Sequence, residues 1–151
     1  KAWDTNVIGT LTLLRCVAPV MQAGGGGSIV LIGSQSMFKP SMPQAGYAAS
    51  KSGLLSAMYY LADELGPDNI RVNMVVPSWM WGPPVQGLVK HRAKKQGRSE
   101  EEVLHDIVGD FPLRRMTEDG EVAETAVFFA SDRARAITGQ HLMVNAGEIM
   151  R

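Results

Sequence analysis

Tyr47, Lys51 and Ser34 are the residues whose types and spacing best support chemistry. Tyr47 and Lys51 are four residues apart in a segment with helical patterning, so their side chains share a helix face. A phenol, with an ordinary pKa of ~10, is a poor acid or base at neutral pH, and a nearby ammonium favours its ionised form. Ser34 follows a buried strand, where its hydroxyl could hold a substrate carbonyl oxygen beside the phenol. Taken alone, the Tyr47–Lys51 pair would indicate no more than an aromatic residue and a solvated lysine on a helix.

The elements that must position these residues alternate along the chain. Helical spacing of apolar residues predicts helices over residues 1–21, 45–65 and 119–131, and a capping box at residues 99–102 opens a shorter one. Short β-branched apolar runs predict strands over residues 28–33, 70–76 and 141–144. This order predicts an α/β fold with three parallel strands, flanking helices and right-handed crossovers.

The segment after the second strand is rich in proline, glycine and tryptophan. We expect residues 78–98 to be irregular, and residues 78–118 to form a substrate lid because segments at strand carboxyl ends lie over the crevice. Trp79 and Trp81 would face an apolar substrate. The glycines at 24–27 precede a strand, so they indicate a turn and not a phosphate-binding loop.

Composition and charge exclude several classes of function. The 151 residues include 15 basic and 15 acidic side chains, so the formal net charge of zero gives no general attraction to nucleic acid or to anionic membranes. No apolar run reaches the ~18 residues of a membrane helix, and we expect a cytoplasmic protein. The single cysteine, Cys16, excludes an internal disulfide. The three histidines are too scattered for a metal site, and the basic run at 90–95 indicates a solvated helix face.

Five short motifs, in order, resemble the short-chain dehydrogenase/reductase family over nearly the whole chain. They are Thr5-Asn6-Val7, Gly27-Ser28-Ile29-Val30-Leu31-Ile32-Gly33-Ser34, Tyr47-Ala48-Ala49-Ser50-Lys51, Asn73-Met74-Val75-Val76-Pro77, and Ile137-Thr138-Gly139-Gln140. The resemblance implies the C-terminal half of a doubly wound Rossmann domain. It further implies that residues 1–151 form a single partial domain without the N-terminal dinucleotide-binding βαβ unit, because the chain begins inside a helix.

The resemblance also implies roles for individual residues. Tyr47 would be the general acid/base, and Ser34 would orient the substrate oxygen, with Ser36 as a weaker competitor for that role. Lys51 would hold the nicotinamide ribose and favour the ionised form of Tyr47, while Asn6 would support a water relay to Lys51. The residues implied to contact NAD or NADP are Tyr47, Lys51, Pro77, Ser78, Trp79 and Met80.

Two positions depart from the family pattern near the implied cofactor. Ser78 stands where the family usually has glycine after the proline, and Gly82 stands where a threonine is often found. The segment Val144-Asn145-Ala146-Gly147 echoes the family's Asn-Asn-Ala-Gly motif, but it lies after the last strand and so better matches the position of the family's terminal Asp-Gly-Gly. These departures concern cofactor contacts and leave the chemistry of Tyr47 and Lys51 intact.

The implied function is NAD(P)-dependent interconversion of a secondary alcohol and a ketone in a small-molecule substrate. One alternative is another nicotinamide-dependent step, such as enoyl reduction. A second alternative is an inactive fragment that acts only in oligomerisation. In either case the helices around Asn6 and Tyr47 are those that the family uses to build homodimers and homotetramers.

Overall fold

Three parallel strands form one sheet in the computed structural model, which describes residues 1–150. They are β1 (Gly27–Ile32), β2 (Ile70–Pro77) and β3 (His141–Val144), with β2 in the centre. Ile29 of β1 is in register with Val72 of β2, and Val75 of β2 with Leu142 of β3. All three strands therefore end at the same edge of the sheet, and the predicted α/β class is confirmed.

Helices cover both faces of the sheet. On one face lie α1 (Thr10–Ala23) and α2 (Ala45–Leu65), and α5 (Asp119–Ala130) lies on the other. Leu14, Leu54 and Met58 pack against β-strand residues on the first face, and Val122 and Phe129 pack around Val75 on the second. Burial on both faces explains why β2 is almost continuously apolar.

The prediction that residues 78–98 are irregular is wrong, because Pro83–Gln96 forms a helix, α3. Pro83 and Pro84 occupy its first turn, where the missing N–H costs nothing. Gly97 ends it in the left-handed region with a φ of 64°. Val89 and Ala93 are buried against Val103 of the next helix, α4 (Glu100–Val108). The prolines and the glycine that indicated a loop are thus the start and stop signals of a helix.

The first predicted helix is confirmed, but its opening residues wind differently. Asp4–Gly9 is π-helical and continues directly into α1. The 20-residue helix from Asp4 to Ala23 is long and apolar enough to span a membrane by length and composition alone, which the run-length test on the sequence did not anticipate. Core helices of soluble proteins and signal sequences meet the same criterion of length and composition.

Candidate active site

A cleft of about 370 Å³ lies at the carboxyl edge of the sheet. Residues that follow β1 and β2 line it, at the edge where ligands bind in open α/β sheets. Tyr47 of α2 contributes to its wall beside Ser34, which follows β1, and Ser78, which follows β2. The lining residues are Ser34, Gln35, Ser36, Lys39, Ser41, Met42, Gln44, Tyr47, Ser78, Trp79, Pro84 and Val85.

Tyr47 and Lys51 meet as their spacing predicts. The Lys51 Nζ atom lies 5.8 Å from the centroid of the Tyr47 ring. The same ammonium donates a 2.7 Å hydrogen bond to the carbonyl oxygen of Ile32, the last residue of β1. Partial burial lowers the pKa of Lys51, because removal from water disfavours the charged form. The cation is therefore fixed between the end of β1 and the phenol.

Ser34 and Ser36 form a directional pair. The Ser36 hydroxyl donates to Ser34 Oγ at 3.0 Å, and the Ser36 backbone N–H donates to the same oxygen at 3.3 Å. Because both bonds end on Ser34 as acceptor, the Ser34 O–H is available to donate towards a substrate oxygen. Ser36, the weaker competitor in the sequence, therefore lies where it orients Ser34.

Asn6 reaches α2 but contacts a residue other than Lys51. Its side-chain amide donates at 2.9 Å to the hydroxyl of Ser50, which in turn donates at 2.7 Å to the Tyr47 carbonyl oxygen. Asn6 thus lies behind the backbone that carries Tyr47. The implied water relay from Asn6 to Lys51 stays a prediction, and the direct contacts join Asn6 to Tyr47 through Ser50.

The four residues after β2 divide between the cleft and its support. Ser78 and Trp79 line the cleft, and the Trp79 carbonyl oxygen accepts hydrogen bonds from the backbone and hydroxyl of Thr117. Met80 forms an isolated bridge with Thr117. Trp81 lines a separate pocket of about 220 Å³ beside α4, and that both tryptophans face one substrate stays a prediction.

Four polar residues at the cleft or directly behind its lining received no functional role from the sequence. Asn145, after β3, donates at 2.6 Å to the side-chain oxygen of Gln35, and both side chains are buried. Glu148 accepts a hydrogen bond from Ser78 and forms an ion pair with Lys39 at 3.1 Å. The signal that could have found them is position, since each follows the carboxyl end of a predicted strand within a few residues.

Within residues 1–150, no group of three or more His, Cys, Asp or Glu side chains is placed to hold a metal ion. The polar side chains that line the cleft carry hydroxyl groups, amide groups and one ammonium group, which suit an organic ligand.

Comparison with known proteins supports the same interpretation. A family model described as enoyl-(acyl carrier protein) reductase matches residues 1–148. The human dehydrogenase/reductase SDR family member 4 is 33% identical over 147 residues. The chain belongs to the short-chain dehydrogenase/reductase family. This is an oxidoreductase family, and the resemblance stated from the five motifs is confirmed.

Other short-chain dehydrogenase/reductases are similar in sequence or structure. A 7alpha-hydroxysteroid dehydrogenase of Bacteroides fragilis is 34% identical, over 97% of this chain and 53% of its own length. The human relative is matched over 97% of this chain and 50% of its own length. The crystal structure of L-sorbose reductase from Gluconobacter frateurii, complexed with NADPH and L-sorbose, has a TM-score of 0.92 and 28% identity, over 99% of this chain and 57% of that one. The chain thus spans about half the length of the curated relatives it matches, and its sheet is part of their Rossmann-like fold.

Proposed function

We propose that the protein containing this chain interconverts a secondary alcohol and a ketone with NAD or NADP, and that Tyr47 transfers the proton. The observation that carries the proposal is the fixed Lys51 ammonium, 5.8 Å from the Tyr47 ring at the wall of a cleft that Ser34 also lines. A cation in this position favours a negative charge on the phenol. Tyr47 can then accept a proton from an alcohol and return it to a ketone.

Ser34 and Lys51 prepare the two sides of this proton transfer. Ser34, held as an acceptor by Ser36, has its O–H to donate to the substrate oxygen. Such a donor stabilises the negative charge that grows on a carbonyl oxygen during reduction. Lys51 is anchored by the Ile32 carbonyl, so its charge is in place before the reaction begins.

The residues present fit the nicotinamide end of a dinucleotide. One N–H of the Lys51 ammonium bonds to Ile32, which leaves two donors of a kind that ribose hydroxyls accept. Tyr47, Pro77, Ser78, Trp79 and Met80 would complete the contacts, since they surround the carboxyl ends of β1 and β2. The nicotinamide supplies or accepts the hydride when bound. A relative of known structure is complexed with NADPH, which supports a nicotinamide cofactor without choosing between NAD and NADP.

The test is Tyr47→Phe in the full-length protein that contains these residues, with Tyr60→Phe as the matched control. Tyr60 lies on the same helix and is exposed to solvent away from the cleft. Loss of general acid–base catalysis typically costs ~10²–10⁴-fold, so we expect turnover of Tyr47→Phe to fall by at least that factor while cofactor binding persists. Equal turnover in the two variants would exclude Tyr47 as the acid/base.

Enoyl reduction is the second candidate, because the family model that matches residues 1–148 is described as enoyl-(acyl carrier protein) reductase. The paired hydroxyls of Ser34 and Ser36 favour a carbonyl or alcohol oxygen at that place. Assays with matched ketone and enoyl thioester substrates separate the candidates, because Ser34→Ala should slow ketone reduction more than reduction of a carbon–carbon double bond.

A further inference from the structure

The cleft contains one charged residue, Lys39, among its twelve lining residues. Seven of the twelve are serine, glutamine or tyrosine, whose side chains exchange hydrogen bonds without carrying charge. Lys39 lies in the loop between β1 and α2, with its side chain 49% exposed. Left unpaired, an ammonium at this place would attract anions.

Glu148 removes that attraction. Its carboxylate is only 4% exposed and lies 3.1 Å from Lys39 Nζ, through Oε1. The other oxygen, Oε2, accepts a hydrogen bond from Ser78 Oγ. A buried carboxylate requires partners, and here both oxygens have one. The Ser78 contact also depends on the departure from the glycine usual in the family, because glycine has no hydroxyl.

The pairing joins the three strand ends. Lys39 follows β1, Ser78 follows β2, and Glu148 follows β3. The backbone at the last of these is constrained, since Gly147 has a φ of +86° and a side chain there would lie within 3 Å of Pro112. Glu148 therefore has a defined position behind the cleft wall, with Lys39 held against it.

We propose that Glu148 is a specificity-determining residue, which neutralises Lys39 and so selects uncharged, hydroxyl-rich substrates over anionic ones. This deepens the proposed function by naming a substrate class, and it rests on the same cleft. An anion entering the cleft must compete with the Glu148 carboxylate for Lys39, whereas a polyol contacts the serine and glutamine side chains directly.

The experiment compares sorbitol and gluconate, two six-carbon probes that differ chiefly by a carboxylate. Ligand-observed NMR gives both dissociation constants for the full-length protein, for Glu148→Gln, and for the double variant Lys39→Met with Glu148→Gln. We expect the native protein to bind sorbitol more tightly. In Glu148→Gln the ratio of the gluconate to the sorbitol constant should fall by roughly tenfold, the gain typical of one charge-assisted hydrogen bond.

The double variant separates a charge effect from a packing effect. Without the Lys39 ammonium the ratio of the gluconate to the sorbitol dissociation constant should return towards the native value. If Glu148→Gln instead changed only the packing, the altered ratio would persist in the double variant. Glu124→Gln, at an exposed position on α5, should leave the ratio unchanged. Tighter binding of gluconate by the native protein, failure to bind sorbitol, or an unaltered ratio in Glu148→Gln would each overturn the proposal. These outcomes need no turnover, so they are distinct from the failure of NAD(P)-linked activity that would defeat the proposed function.

Discussion

At the scale of single residues, the direction of each hydrogen bond decides which group is left for the substrate. Ser36 donates twice to Ser34, and Lys51 donates to Ile32. The Tyr47–Lys51 contact follows from a helical spacing of four, so the sequence suffices to predict it. Asn6–Ser50 and Ser78–Glu148 join residues 44 and 70 positions apart. No local pattern encodes such pairs, because they form only when the sheet brings its strand ends together.

Ser36→Ala should weaken the orientation of Ser34 without removing it. The variant loses the 3.0 Å hydroxyl bond but keeps the backbone N–H bond to Ser34. We expect turnover to fall by about two- to tenfold, as for one neutral hydrogen bond, with little change in KM. Ser34→Ala should cost more. In a double-mutant cycle the two effects should be less than additive, and strict additivity would show that Ser36 does not act through Ser34.

Lys51→Met should change how stability depends on pH. In the unfolded chain Lys51 has its ordinary pKa of 10.5. In the folded state this pKa is lower, so Lys51 releases its proton at a lower pH than in the unfolded chain. Between those two pKa values the unfolded state binds more protons, so this residue makes folding more favourable as pH rises. The free energy of unfolding of wild type minus that of Lys51→Met should therefore increase from pH 8 to pH 10.5. Urea denaturation measures it, with the exposed Lys90→Met as the control, and a constant difference would contradict the burial of the ammonium.

At the scale of elements, local sequence signals predict where a helix begins and ends better than they predict what it packs against. The capping box of α4 is present in full, with Ser99 and Glu102 bonded to each other's backbone N–H. Of α3 the sequence indicated a helix only over residues 90–95, because the segment is polar and its buried face is defined by packing against α4. Its prolines are compatible with a helix start as well as with a loop, and only the tertiary contacts distinguish the two.

The two tryptophans between β2 and α5 allow the predicted lid to be tested. Trp79 lines the cleft and packs with Val85 and Phe111, whereas Trp81 lies in the neighbouring pocket. Loss of a large apolar contact costs about 1.5–3 kcal/mol, so Trp79→Ala should reduce kcat/KM by about ten- to a hundredfold for substrates that touch it. Trp81→Ala is the matched control and should act mainly on thermal stability. A larger kinetic effect at Trp81 would show that the second pocket closes over the substrate.

The start of α5 should respond to acid. Arg115 forms a two-pronged ion pair with Glu121, whose carboxylate also accepts the Glu118 backbone N–H at 2.9 Å. These bonds lower the pKa of Glu121 from 4.5 to about 2. The ion pair stabilises the fold fully at a pH above the pKa of Glu121 in the unfolded chain. That stabilisation is lost as the pH falls towards the pKa of Glu121 in the folded chain. Between pH 5 and pH 2 the melting temperature should fall less steeply for Glu121→Gln than for wild type. Parallel plots of melting temperature against pH would show that the Arg115–Glu121 pair does not contribute to stability.

At the scale of the whole molecule, the order of elements determines where the site must be. Three parallel strands with crossover helices place all three carboxyl ends at one edge of the sheet. That arrangement was predictable from the alternation of helix and strand patterns in the sequence. Which faces of the outer helices remain exposed could not be predicted, because a helical stripe does not say what covers it. In the structure, large apolar side chains stay exposed on α1 and α2, among them Leu13 and Val20 at 62% and 71%.

From these exposed faces we predict that copies of the protein associate through the helices around Asn6 and Tyr47. Exposed apolar patches of this kind mark interaction surfaces. Burying each side chain is worth about 1.5–3 kcal/mol, so Leu13→Glu with Val20→Glu should weaken self-association by at least about a hundredfold. Sedimentation velocity over a range of concentrations measures the change. Leu113→Glu, an exposed apolar position outside α1 and α2, is the control. If the double variant and the control sediment alike, association does not use the α1 face.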